Sequence, residues 1–281
     1  MDSIAKSPER LEIIKKIKEY ESKGYFDKDV EDDPPTRPLK PGECDYTGKK
    51  LSSRLMTKIS NFIGRNYINS LIKKKVLIIK EIRGLSYYEE VQGGAFITCN
   101  HFNPMDNFAV YKAIEPYLNK EKRCLYKIIR EGNYTSFKGF YGFLFRHCNT
   151  LPLASGLTVM KEFLSGLTAL LGRGEKVLIY PEQGMWWNYR KPRPLKDGAF
   201  NLAAKNGVPV LPIFITLSDS EIIGEDGFNV QEYTLNFLPP IYPDKDKSVK
   251  ENTKEMKEKN YDAWVAVYEE FYGKKLSYEE E

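Results

Sequence analysis

Residues 95–110 read AFITCNHFNPMDNFAV, and this stretch decides the fold. Its first five residues are mostly apolar and include aromatic and β-branched side chains, as in a buried strand. Asn103 and Pro104 follow, a pair typical of a helix N-cap and first helical residue. The stretch therefore predicts a strand, a short loop that contains His101, and a helix that begins near Pro104.

The same alternation of strand and helix patterns continues on both sides of this stretch. β-rich runs occur at 76–82, 95–100, 123–129, 150–155, 176–182, 208–217 and 232–241, with helical patterns at 156–174, 196–207 and 250–272. Such alternation predicts an α/β fold, a mixed and mostly parallel sheet flanked by helices. Ligands bind beyond the carboxyl ends of strands in such sheets, so His101 lies where a site is expected.

A different organisation is expected before residue 76. Ser7 and Pro8 begin a capped helix that Gly24 ends, and residues 27–50 form an acidic, proline-rich arm without periodicity. Residues 51–72 have the apolar spacing of an amphipathic helix. The chain therefore divides into residues 1–75, a membrane-facing extension of N-terminal helices and arm, and residues 76–281, the α/β domain.

The net charge of +4 is unevenly distributed. Residues 49–83 hold ten Lys or Arg and one Glu, a local charge of +9 that leaves −5 elsewhere. The basic amphipathic helix within this segment can lie on an anionic membrane surface, with predicted contacts from Arg54, Lys58, Phe62 and Arg65. A docking helix with a solvated charged face is the equal alternative.

Trp186 and Trp187 form part of an unusually aromatic segment, residues 185–189. Tryptophan favours membrane interfaces, so both residues are predicted to contact the membrane. Capping of an active-site pocket and packing in the core are equally compatible with the sequence.

Several classes of function lack support in the sequence. The four cysteines, Cys44, Cys99, Cys124 and Cys148, have no zinc or disulfide spacing. The sequence contains no G-x-S-x-G, P-loop or G-x-G-x-x-G motif, and no apolar run of the roughly 18 residues that span a bilayer. We therefore expect neither a metal nor a nucleic-acid partner, and a cytoplasmic protein bound peripherally to the inner face of the cell membrane.

The pair His101 and Asp106 carries the candidate chemistry. Asp106 lies five residues beyond His101, in the first turn of the predicted helix. Its carboxylate can accept a hydrogen bond from one imidazole nitrogen, which leaves the other nitrogen free as a general base. Alternatively, Asp106 only caps the helix and His101 is an ordinary loop residue.

Four blocks in order resemble the glycerolipid acyltransferase family, typified by lysophosphatidic acid acyltransferases. They are N-H-x-x-x-x-D at 100–106, the segment from Lys127 to Ser155, VLIYPEQG at 177–184 with RPLKDGA at 193–199, and VPVLPIFI at 208–215. The resemblance implies that His101 deprotonates an acceptor hydroxyl while Asp106 orients it. It implies a lipid acceptor and, in place of a cofactor, acyl-CoA or acyl-carrier protein as donor.

The acceptor side departs from the family pattern. In the family, an arginine after the second block's strand meets the phosphate of the acceptor, and this chain has Ser155 there. The family's Phe-Pro-Glu-Gly-Thr-Arg corresponds to residues 180–185 here, so that Gln183-Gly184-Met185 replaces Gly-Thr-Arg and Met185 replaces a second arginine. The residues predicted to bind the acceptor are Glu182, Lys196, Arg190, Arg193 and Lys127. The predicted activity is that of an O-acyltransferase similar to 1-acylglycerol-3-phosphate O-acyltransferases. The sequence does not identify the acceptor. The alternative is an inactive membrane-surface or scaffold protein of the same fold.

Overall fold

The computed structural model describes residues 4–32 and 36–279. Within them, seven strands form one sheet: β1 (Ile78–Arg83), β2 (Ala95–Cys99), β3 (Leu125–Arg130), β4 (Thr150–Leu153), β5 (Lys176–Ile179), β6 (Val210–Ile223) and β7 (Asn229–Phe237). Their order is β1-β7-β6-β2-β5-β3-β4. The predicted α/β fold with a mixed, mostly parallel sheet is confirmed.

The strand pairing determines where a site can form. β2 is parallel to β5 and β6, and β3 is parallel to β5 and β4. β6 and β7 are antiparallel, and β1 joins β7 in parallel. The carboxyl ends of β2, β5, β3 and β4 therefore meet at one edge of the sheet, which we call the carboxyl edge.

Helices cover both faces of the sheet. In chain order they are α1 (Pro8–Ser22), α2 (Leu51–Lys73), α3 (Ser86–Glu90), α4 (Asp106–Glu121), α5 (Glu131–Thr135), α6 (Gly139–His147), α7 (Leu157–Gly172), α8 (Gly198–Asn206) and α9 (Val249–Tyr272). Along β2, Ile97 and Cys99 pack in the same core as α4, and Phe96 packs in the core of α7, α8 and α9. All five residues of β2 are buried, because side chains alternate between two covered faces.

The N-terminal helices have the predicted positions. α1 begins at Pro8, and the Ser7 side chain accepts a hydrogen bond from the Arg10 amide. α2 begins at Leu51, as its apolar spacing predicts. Among residues 4–32 and 36–279, no helix combines the length and the apolar character needed to cross a membrane.

The structure corrects the membrane contact predicted for the two tryptophans. Trp186 is fully buried and Trp187 is 7% exposed. Both pack in one apolar cluster with Ile13 and Ile17 of α1 and Val30 of the arm. Neither indole ring is available to a bilayer, because the N-terminal segments cover this loop. The amphipathic helix α1 supplies this cover. Its apolar spacing predicts a helix with one apolar face but does not say which part of the chain that face contacts.

Candidate active site

The loop after β2 positions His101 at the carboxyl edge. The Asn100 side chain exchanges two hydrogen bonds with the backbone of Ile215 on β6, at 3.0 and 2.8 Å, which fixes the point where β2 ends. α4 begins at Asp106, two residues later than predicted. Asn103 does not cap this helix, because its side chain accepts from the Met105 amide at 3.0 Å and closes a turn instead.

His101 and Asp106 form the predicted hydrogen bond. Imidazole Nδ1 lies 2.7 Å from Asp106 Oδ2. The Asp106 side chain is fully buried, whereas 21% of the His101 side chain is exposed. Because the carboxylate accepts, the proton resides on Nδ1, and Nε2 keeps a lone pair for a base.

Asp106 has three further hydrogen-bond donors. Oδ2 also accepts from the amides of Phe102 and Asn103, at 3.2 and 3.3 Å, and Oδ1 accepts from the Tyr180 hydroxyl at 2.5 Å. These amides belong to the loop and not to the first turn of α4. Asp106 therefore organises the loop and orients His101, a role that differs from capping of the helix.

Tyr180 is a site residue that the sequence did not identify. It follows β5, and its ring stacks on the imidazole of His101 with centroids 3.9 Å apart and planes at 15°. Burial, together with the Asp106 carboxylate, raises the pKa of the Tyr180 hydroxyl well above its usual range, so the hydroxyl remains a donor. The available signal was tyrosine in place of phenylalanine in the family's Phe-Pro-Glu-Gly.

Glu182 lies beneath the loop and does not face a substrate. Its carboxylate accepts from the amides of His101 and Arg193, at 3.0 and 2.8 Å, and pairs with Arg193 Nη2 at 3.0 Å. The two side chains are 2% and 1% exposed. This burial contradicts direct acceptor contact by Glu182 or Arg193. It gives them instead the role of supporting the His101 backbone from below.

The loop after Glu182 packs directly on the loop after β2. The Trp186 amide donates to the His101 carbonyl at 3.1 Å, and the Asn188 amide donates to the Phe102 carbonyl at 2.8 Å. These bonds hold the two loops as one unit. The aromatic segment therefore acts as the buried backing of the candidate base.

The other predicted acceptor-binding cations have different surroundings. Arg190 pairs with Asp219 at 2.8 Å, and exposed Lys196 lies 3.8 Å from Asp27 of the arm. Lys127 lies half-buried on β3, and burial lowers the pKa of its ammonium group. Lys127 thus lies within β3, and Lys196 lies beside the loop after β5, where its amide donates to the Pro181 carbonyl at 2.9 Å. Arg190 pairs with Asp219 of β6.

Ser155 stands beyond β4, where the family pattern has arginine. Its hydroxyl and amide donate to Glu131 Oε2, at 2.8 and 3.3 Å, and the Leu39 amide donates to Oε1 at 2.6 Å. Arg130, at the end of β3, forms two hydrogen bonds with Asp29, at 2.7 and 3.0 Å. A carboxylate therefore occupies the environment in which a phosphate-binding cation was expected.

The family comparison agrees with this geometry. The Acyltransferase family model matches residues 79–216. The chain carries an acyltransferase-family domain. The matched span runs from β1 into β6 and contains both loops of the site. The family implies acyl transfer with an acyl donor and a lipid acceptor. No curated protein matches the chain significantly.

Two further observations on this acyltransferase domain concern His147 and candidate metal ligands. The ring centroids of His147 and Phe143 lie 5.2 Å apart with the planes tilted by 58°, and burial lowers the pKa of the His147 imidazole, which agrees with a structural residue. In the described part of the chain, no group of three or more His, Cys, Asp or Glu side chains is arranged to hold a metal ion.

The predicted membrane-contact residues on α2 lie at an apolar and basic surface. Arg54 and Lys58 are exposed, Arg65 is half-buried, and Phe62 is 61% exposed. Exposed apolar neighbours on this helix are Leu51, Leu55 and Ile59. We call this face of α2, residues 51–62, the α2 surface.

Proposed function

We propose that the protein transfers a fatty acyl group from an acyl thioester to a hydroxyl of a lysophospholipid or related lipid. The observation that carries the proposal is the arrangement of His101, Asp106 and Tyr180 at the carboxyl edge. A buried carboxylate fixes the Nδ1 proton, and a stacked tyrosine fixes the ring plane. This is the arrangement a general base needs, because the neutral imidazole then carries its lone pair on Nε2.

The proposed reaction has two steps, addition and elimination. His101 Nε2 takes the proton of the acceptor hydroxyl as its oxygen attacks the thioester carbonyl, and the carbon–oxygen bond forms. The tetrahedral oxyanion is stabilised by donors near the loop after β5. The carbon–sulfur bond then breaks, and the thiolate takes up the proton from the imidazolium. The products are an ester and a free thiol, and His101 returns to its starting state.

Acyl-CoA or acyl-carrier protein would supply the thioester. Lys127 and Lys196 remain our candidates for hydrogen bonds to the acceptor head group. Glu182 and Arg193 are assigned to supporting the loop, because their burial removes them from direct contact.

Acyl transfer can be measured with purified protein, labelled acyl thioesters and a panel of lyso-lipids, glycolipids and polyols. His101→Ala should lower turnover by about 10²- to 10⁴-fold, the usual contribution of general base catalysis. His147→Ala is the matched control and should retain activity. If no acceptor is turned over, or if turnover is independent of His101, the proposal fails and the inactive scaffold is favoured.

We also propose that the protein binds peripherally to the inner face of the cell membrane through the α2 surface. Leu51 is 79% exposed and Leu55 is 59% exposed, a large apolar area to leave in water. Exposed Arg54 and Lys58 lie among these apolar residues, so an anionic bilayer complements both features.

Vesicle sedimentation tests this docking. Binding to anionic vesicles should weaken with salt, because the Debye length falls from about 10 Å at 0.1 M to about 3 Å at 1 M. Phe62→Glu should reduce binding, whereas Ile223→Glu, an exposed apolar residue at the end of β6, should not. Equal binding by both variants would exclude the α2 surface.

A further inference from the structure

The acidic part of the arm contacts the carboxyl edge at Arg130 and the loop that backs the candidate base. The Trp186 indole donates to the Lys28 carbonyl at 2.9 Å, so the arm contacts the loop that backs His101. Asp29 Oδ1 lies 3.0 Å from the position that a Cβ on Gly184 would occupy. The absence of a side chain at Gly184 thus leaves room for this carboxylate.

This segment is held by buried contacts. Val30 is 3% exposed, and Phe26, just before the arm, stacks on Trp186 with centroids 5.8 Å apart. Buried Arg193 donates from Nη1 to the Phe26 carbonyl at 3.2 Å. Exposed ion pairs are individually weak, but these contacts keep Asp27 and Asp29 in position whether or not their pairs form.

The carboxylates of the chain already engage the basic residues around the site. Asp29 forms an ion pair with Arg130, and Asp27 forms one with Lys196. Asp219 forms an ion pair with Arg190. Buried Glu182 forms an ion pair with Arg193, and Lys191 pairs with Glu21 of α1. To gain a cation from this set, a phosphomonoester of an acceptor would have to displace a carboxylate. Lys127 lies outside the set, half-buried on β3 with its ammonium pKa lowered by burial.

The position of Ser155 adds a second, independent argument. Glu131 accepts three hydrogen bonds there, from the Ser155 hydroxyl and amide and from the Leu39 amide. Its side chain is buried, at 9% exposure for the residue. Glu131 therefore contacts Ser155, where the family pattern places a phosphate-binding arginine, and Asp29 pairs with the neighbouring Arg130, while Asp27 lies beside Lys196. We call these three acidic residues the carboxylate wall.

We propose that the acceptor is a lipid whose head group is uncharged, such as a monoacylglycerol, and that the carboxylate wall excludes phosphomonoester acceptors. The inference rests on the proposed acyl transfer and narrows its substrate class. A phosphomonoester carries close to two negative charges at neutral pH and would meet fixed carboxylates on the arm and on α5. An uncharged glycerol hydroxyl meets no such repulsion and can hydrogen-bond the same carboxylates.

Three acceptors with one acyl chain length test the inference in the full-length protein with acyl-CoA. They are 1-acylglycerol, 1-acylglycerol-3-phosphate and 1-acylglycerophosphocholine. The kcat/KM for 1-acylglycerol should exceed that for the phosphate by about tenfold or more, given the usual penalty of like-charge juxtaposition. The double variant Asp27→Asn/Asp29→Asn should reduce this preference about tenfold by the same reasoning.

Asp32→Asn is the matched control, because Asp32 is fully exposed on the same arm and lies 4.0 Å from Lys16, away from the carboxylate wall. It should leave the preference unchanged. In the unmodified protein, added salt should also reduce the preference, since screening weakens repulsion from exposed carboxylates. This measurement needs no variant and remains decisive if the double variant does not fold.

A preference for the phosphate or the phosphocholine acceptor would overturn the inference while leaving acyl transfer intact. An equal change in preference for Asp32→Asn and the double variant would also overturn it. Absence of transfer to all three acceptors would overturn the proposed function and, with it, this inference.

Discussion

The loops after β2 and after β5 begin at neighbouring strand ends, and each is organised by one buried carboxylate. Asp106 binds loop amides, Tyr180 and His101, and it leaves the imidazole 21% exposed. Glu182 binds the amides of His101 and Arg193 and the Arg193 guanidinium, which is 1% exposed. One carboxylate thus presents a reactive group to the surface, and the other closes the structure beneath it. In the proposed function, the first carboxylate serves the chemistry and the second supports the loop.

Arg193→Met tests the supporting half of this comparison and should have the largest effect. Removal of the guanidinium leaves Glu182 buried without its ionic partner, which typically costs about 3–5 kcal/mol of the free energy of unfolding. Denaturant unfolding measures this loss. Arg190→Met is the control, because its pair with Asp219 is largely exposed and should cost below about 1 kcal/mol. Equal losses in the two variants would contradict a special role for the buried pair.

Asp106→Asn tests the chemical half. A neutral amide orients imidazole less well and stabilises imidazolium less, so kcat should fall by about 10²-fold, the lower end of the range for general base catalysis. Asp197→Asn removes an exposed carboxylate that pairs with Lys257 and should leave kcat unchanged. If Asp106→Asn lowers the free energy of unfolding while the folded variant keeps its kcat, Asp106 belongs with Glu182 as a supporting residue.

Residue patterns within a short stretch of sequence predicted the features that depend on residues close together in the chain. The strand and helix at 95–110 follow from apolar spacing, and the His101–Asp106 hydrogen bond follows from a separation that one loop can close. The predicted start of α4 near Pro104 was wrong, because the side chains of Asn103 and Asp106 both accept hydrogen bonds from amides ahead of the helix. Competing local hydrogen bonds of this kind are not resolved by residue type alone.

Contacts between distant segments could not be predicted. Trp186 is buried by α1 and the arm, and its nitrogen reaches Lys28, 158 residues away. Asp29 and Arg130 are separated by 101 residues. An amphipathic or charged pattern indicates that a side chain needs a partner, but it does not identify the residue that provides the contact. For this reason the His101–Asp106 hydrogen bond was predicted correctly, whereas the partners of Trp186 and Arg130 were not predicted.

Tyr180→Phe should have the smallest effect and sharpens the comparison most. Phenylalanine is the residue of the family pattern at this position and preserves the stacking on His101, so only the hydrogen bond to Asp106 Oδ1 is lost. One hydrogen bond is worth about 0.5–1.5 kcal/mol, which predicts a two- to tenfold fall in kcat at roughly constant KM. Tyr261→Phe, which loses a hydroxyl contact with Tyr278, should not change kcat. Asp106 retains its bonds to His101 and the two loop amides in this variant, which is why the loss should be smaller than for Asp106→Asn. An unchanged kcat would mean that those three bonds already fix the carboxylate and that the tyrosine acts through its ring alone.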